Sequence, residues 1–141
     1  MWPVPRESNV AKFLLLTKYG TDGVAPIAEW SPQDIRAHMD YLQALNKELA
    51  ERGELIGVQA LAGPELTKIV VADGETAPVV SDGPFPEFKE WLAGFQVIEV
   101  ADEARALEIA ALVSAVPGKD GVPTQQPIHV RQVMSSSGQD M

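Results

Sequence analysis

Two segments of the 141-residue chain, 12–17 (Lys-Phe-Leu-Leu-Leu-Thr) and 95–100 (Phe-Gln-Val-Ile-Glu-Val), put apolar residues on both sides of an extended backbone. Successive side chains of a strand point to opposite faces. The first segment therefore offers Phe13 and Leu15 to one side and Leu14 and Leu16 to the other, and the second offers Phe95 and Val97 against Ile98 and Val100. A sheet built on such strands needs cover on both faces. The chain supplies two helices. Ser31-Pro32-Gln33-Asp34 combines a capping serine, proline at the first helical position and an acid in the first turn, and starts a helix that runs to about Arg52 and ends at Gly53. A rotation of roughly 100° per residue gathers Ile35, His38, Met39, Leu42, Leu45 and Leu49 on one stripe and sets Asp40, Lys47 and Glu51 opposite. Asp102 caps a second helix over 103–116, with Ala106, Leu107, Ala110 and Val113 as its inner face and Pro117-Gly118 as its end.

Further strands are expected over 55–61, 67–71, 77–80 and 128–133, with Asp73-Gly74 as a hairpin turn. Pro78 cannot donate to a ladder, which assigns its strand to an edge or a bulge. The order predicts an α+β fold with both helices on one face of an antiparallel sheet. Two helices cannot cover two faces, so the apolar second face predicts a homodimer that stacks sheet on sheet. One domain over 11–134 is expected, with a flexible segment at 1–10 and a disordered tail at 135–141.

Twenty acidic and eleven basic residues leave a net charge of −9, which opposes close approach to a phosphate backbone and argues against nucleic-acid binding. The absence of cysteine excludes disulfides, thiolate metal sites and cysteine nucleophiles. No apolar run approaches the roughly 20 residues of a membrane helix, and the N-terminal residues show no charged start followed by an apolar block. A cytoplasmic protein is expected. No phosphate-cradling glycine loop and no serine nucleophile elbow occurs, so no cofactor is implied. Two histidines argue against a transition-metal centre.

The least generic chemistry lies in 81–94. Asp82-Gly83-Pro84-Phe85, followed by Glu87, Lys89, Glu90, Leu92, Gly94 and the strand 95–100, resembles the signature of the DGPF-domain branch of the YCII-related family. The similarity runs from about Lys12 to Val133. The resemblance implies a ferredoxin-like fold that dimerises into an α/β barrel, an enzymatic role for a histidine and an aspartate, and for some members an association with sigma factors. Pro86, Phe88, Trp91 and Ala93 depart from the family pattern and make this loop bulkier and stiffer.

His38, on the core-facing stripe, is the candidate general base, since an imidazole titrates near neutral pH; a core histidine bonded to backbone is the alternative. Asp82 could orient His38 or accept N–H bonds from the turn that follows it. Phe85, Lys89 and Trp91 are candidates for a pocket wall with one cation for a substrate carboxylate; alternatively Phe88, Trp91 and Leu92 pack down as one face of a helical turn. Glu99 shares a strand side with Phe95 and Val97 and is a candidate carboxylate in the dimer cleft; an edge-exposed acid is the alternative. His129 reads as structural. The functional expectation is a cofactor-independent enzyme that moves a proton on a small-molecule ligand in elimination or isomerisation. The alternatives are a non-catalytic dimeric module that senses a ligand or contacts a regulatory protein partner, and a cofactor-free oxygenase.

Overall fold

The computed structural model describes residues 10–19, 25–83 and 91–134. Its strands and α-helices follow the order β1 (Ala11–Tyr19), α1 (Pro32–Glu51), β2 (Leu55–Ala60), β3 (Lys68–Val71), β4 (Val79–Asp82), β5 (Trp91–Val100), α2 (Glu103–Ser114) and β6 (His129–Gln132). A four-stranded antiparallel sheet has the order β2-β5-β1-β6, and β3 pairs only with β4 in a separate two-stranded sheet. With that hairpin set aside, the chain runs strand-helix-strand-strand-helix-strand around a central β5–β1 pair. This is the ferredoxin-like arrangement.

Each element has a local cause. The Ser31 hydroxyl accepts from the Asp34 N–H and the Asp34 carboxylate accepts from the Ser31 N–H, both at 3.0 Å, which closes a capping box at the start of α1. That backbone N–H of Ser31 is the main reason the Asp34 carboxyl is held below its ordinary range. Gly53, at φ +75°, supplies the left-handed turn that ends the helix. Asp73 accepts from the N–H groups of Glu75 and Thr76, both at 2.9 Å, and so shapes the β3–β4 turn with Gly74 at φ +83°. Pro78 stands immediately before β4, outside the ladder it could not serve.

Inward-facing Phe13 and Leu15 of β1 and Ile98 and Val100 of β5 meet Leu45 and Leu49 of α1 and Ala106, Ile109, Ala110 and Val113 of α2 in one core. The centre of the α1 stripe falls near His38, Leu45 and Leu49. Ile35 and Met39 lie roughly 60–100° away at 100° per residue, which is why they are exposed rather than buried. On α2 the buried member is Ile109, not the expected Leu107, which is 52% exposed. The spacing of Ala106, Ile109, Ala110 and Val113 keeps one face to the sheet, and Leu107 falls off it.

Arg105 at the start of α2 grips Glu54 just ahead of β2 with two bonds of 2.9 Å, Nε to Oε2 and Nη2 to Oε1. The guanidinium is the main cause that holds the Glu54 carboxyl below the usual glutamate range. No helix among the described residues is long and apolar enough to cross a membrane.

The second face of the sheet carries Leu14, Leu16, Phe95 and Val97, none of them fully buried. They alternate with the core residues along the same strands, and the register pairs Leu14 with Val97 and Leu16 with Phe95. No helix among the described residues is placed against this face by the packing that forms the core.

Candidate functional site

His38 sits at the centre of the α1 stripe, half-buried, and its Nδ1 lies 2.9 Å from the carbonyl oxygen of Pro117. A carbonyl only accepts, so Nδ1 carries the hydrogen and the neutral ring keeps its lone pair on Nε2. Trp30 and the imidazole pack in a T-shaped contact at 5.1 Å between centroids and 62° between planes. Trp30 is itself fixed by donation from Nε1 to the Ala25 carbonyl at 3.0 Å. The ring of His38 is thus held from two sides, by Trp30 just ahead of α1 and by Pro117 from the far end of the chain.

The loop after α2 carries the accepting carbonyl. It is pinned by Gly118 N–H to Val122 O at 2.8 Å, Thr124 N–H to Val116 O at 2.9 Å and the Ser114 hydroxyl to Gln126 O at 2.7 Å. Gln126 Nε2 ties its far end to the Lys18 carbonyl at 2.8 Å. Two non-glycine residues of this loop, Asp120 at φ 57° and Gln125 at φ 55°, adopt left-handed backbone, a conformation that persists only where surrounding contacts enforce it. Gly118 packs against Trp30: a Cβ there would stand 3.3 Å from Trp30 Cζ2 and 2.8 Å from Thr124 Cγ2. The loop, the indole and the imidazole form one assembly.

Asp82 is the last residue of β4, paired in register with Lys68 and joined to it by an ion pair, with its side chain 77% exposed. It belongs to a strand rather than to the turn expected to start there, because the β3–β4 ladder extends through it. Among the described residues no hydrogen bond joins Asp82 to His38; the first is bonded to Lys68 and the second to Pro117. Phe85 and Lys89 lie outside the described residues, as does Phe88. Trp91 opens β5 opposite Tyr19, and Leu92 follows it in the same strand, so these two are not part of a helical turn. β1 is long enough to pair with them across a bulge at Thr17/Lys18, and the ladder claims their backbone. Glu99 lies on the open face opposite Lys12, the face away from the helix that carries His38. His129 is exposed and in register with Leu16.

A cleft of about 200 Å³ opens between α1, α2 and the ends of β1, β2 and β5, lined by Thr17, Leu42, Asn46, Val58, Gln96 and Val113 among others. Leu42 is one helical turn from His38. The lining is largely apolar, and Gly94 permits the close approach of strands at its floor: a Cβ there would lie 2.8 Å from the Gln59 carbonyl oxygen. A smaller cavity of about 170 Å³ lies beside Trp30, Gly118 and Thr124.

The His38 ring is bonded to backbone, as the alternative reading of this residue expected, and the sequence did not indicate which carbonyl or which aromatic holds it. Trp30 and Pro117 carry no motif, and the bond from His38 to Pro117 spans 79 residues. Gln96 was legible in principle, as a polar residue in the inward register of Ile98 and Val100.

A family model described as the YCII-related domain matches residues 11–127. An uncharacterized protein of Rhizobium meliloti (strain 1021) is 30% identical over 99 residues, which cover 70% of this chain and 79% of that protein.

Proposed function

The chain belongs to the YCII-related family, and from that premise we propose that it is a cofactor-independent enzyme that moves a proton on a small metabolite, with His38 as the base. The observation that carries this reading is the bond from His38 Nδ1–H to the Pro117 carbonyl. It fixes the tautomer and leaves Nε2 able to accept a proton from an acidic C–H, the part that a carboxylate plays in other base-orienting pairs. The proton returned to a neighbouring carbon completes an isomerisation; loss of a leaving group instead completes an elimination. The cleft one turn along α1 receives the substrate in this reading. Lys89, Phe85 and Trp91, in or beside the segment that follows β4, are proposed as its outer wall. Asp82 is ion-paired to Lys68 and has no hydrogen bond to His38 among the described residues, whereas the Pro117 carbonyl already holds Nδ1.

The tetrapeptide 82–85 supports placement in the DGPF branch. The open face with Leu14, Leu16, Phe95 and Val97 supports a two-fold dimer in which two sheets close into an α/β barrel, with Glu99 in the interface.

The test is hydrogen exchange in D2O against a panel of small carbon acids, followed by NMR. The native chain is expected to wash deuterium into one of them, and His38→Gln to slow that by at least 100-fold with the fold intact by circular dichroism. Unchanged exchange in His38→Gln sinks the reading. Ligand binding without exchange in the native chain leaves the ligand-sensing module in its place.

A further inference from the structure

Among the described residues Gln96 is the one polar side chain in the buried set, 7% exposed on the inward register of β5. Its Nε2 donates to Asn46 Oδ1 at 2.6 Å. A carboxamide pair joined by one such bond is not satisfied: Gln96 Oε1 still accepts and the Asn46 amide still donates. Reversal of both amides, which exchanges oxygen and nitrogen, leaves one NH2 group and one carbonyl oxygen without a partner in the same way. No bond to another described residue takes up either group. Gln96 is buried and Asn46 half-buried; a buried polar group left open is costly, and proteins meet it with a partner, a water or a ligand. Both residues border the 200 Å³ cleft.

We propose that this cleft binds an uncharged, single-ring compound through a carboxamide or lactam group that meets the Asn46–Gln96 pair. Three observations fix the class. The volume is somewhat above the roughly 150 Å³ apolar cavity that accepts benzene, so one ring and one small substituent fit. Leu42, Val58 and Val113 supply walls for the ring. No charged side chain among the described residues lines the cleft, so on the Asn46–Gln96 side a carboxylate would meet amides and no counter-charge. A primary amide or lactam carries the complementary donor and acceptor on one edge. The inference concerns binding alone, and it stands or falls separately from proton transfer at His38.

The test titrates benzamide, benzoate and toluene in turn into the full chain at neutral pH and follows the Asn46 and Gln96 side-chain NH2 signals in 1H–15N spectra. Benzamide is expected to shift both pairs saturably and to bind at least tenfold more tightly than benzoate or toluene. Asn46→Ala, a substitution that a helix accepts readily, is expected to cost benzamide at least tenfold and toluene little; Gln96→Leu, an apolar replacement of similar size, repeats the result from the sheet side. The proposal is overturned if benzamide gives no saturable shift, which would mean that water alone meets the pair, or if the three probes bind equally, or if Asn46→Ala and Gln96→Leu both keep full benzamide affinity with the fold retained.

Discussion

Two side chains argue most about stability and one about activity. Glu54 and Arg105 are less exposed than a typical surface pair, at 17% and 25% of their side-chain areas, and two parallel bonds join them. Glu54→Gln is expected to cost about 1–2 kcal/mol at neutral pH, between an exposed and a buried pair. The Glu54 carboxyl is depressed in the folded chain, so its contribution is complete above the ordinary glutamate value of about 4.3. It disappears as the pH falls through the lower folded value. Urea midpoints from pH 6 to pH 3 should therefore fall more steeply for the native chain than for Glu54→Gln, and the two curves should converge at the acid end. Asp82 offers a contrast. With Lys68 beside it and most of its side chain in water, Asp82→Asn is expected to change stability by less than about 1 kcal/mol. If the Pro117 carbonyl orients His38, the same substitution leaves deuterium exchange within about twofold; a loss as large as that of His38→Gln would restore the carboxylate as the orienting group.

At the scale of elements, the sequence was most informative where the cause is local. Ser31, Pro32 and Asp34 specify the start of α1 within four residues, and Gly53 its end. The inward parity of β1 and β5 could be read because core strands alternate strictly. What escaped was set by pairing at a distance. The extension of β5 back to Trp91 depends on the length of β1, and the strand character of Asp82 depends on the reach of Lys68 in β3. The burial of Ile109 in place of Leu107 depends on how α2 rolls on the sheet, which a period of 3.6 leaves open by one residue. The Trp30–His38–Pro117 assembly was invisible for the same reason, since none of its members predicts the others. Gly94 is the element-scale test of close strand approach. Gly94→Ala sets a methyl 2.8 Å from the Gln59 carbonyl and is expected to cost about 1–3 kcal/mol, read as a lower urea midpoint with an unchanged slope.

For the molecule as a whole, the proposed dimer makes the open face the next quantity to measure. Leu16→Glu puts a charge amid Leu14, Phe95 and Val97 while Phe13 and Leu15 keep the core. Sedimentation is expected to show dimers for the native chain at micromolar concentration and monomers for Leu16→Glu; a native monomer would leave the apolar face without this account. The anchoring of His38 reaches further than one residue. A peptide carbonyl is the acceptor that no point substitution deletes, so an alanine scan of the acidic residues could pass over the group that aims the imidazole. Residue 117 itself is free to vary as long as the loop keeps its path. The heritable constraint moves next door, to Gly118, where a methyl would strike Thr124 and crowd Trp30. A saturation library selected for turnover should accept many side chains at 117 and almost none at 118.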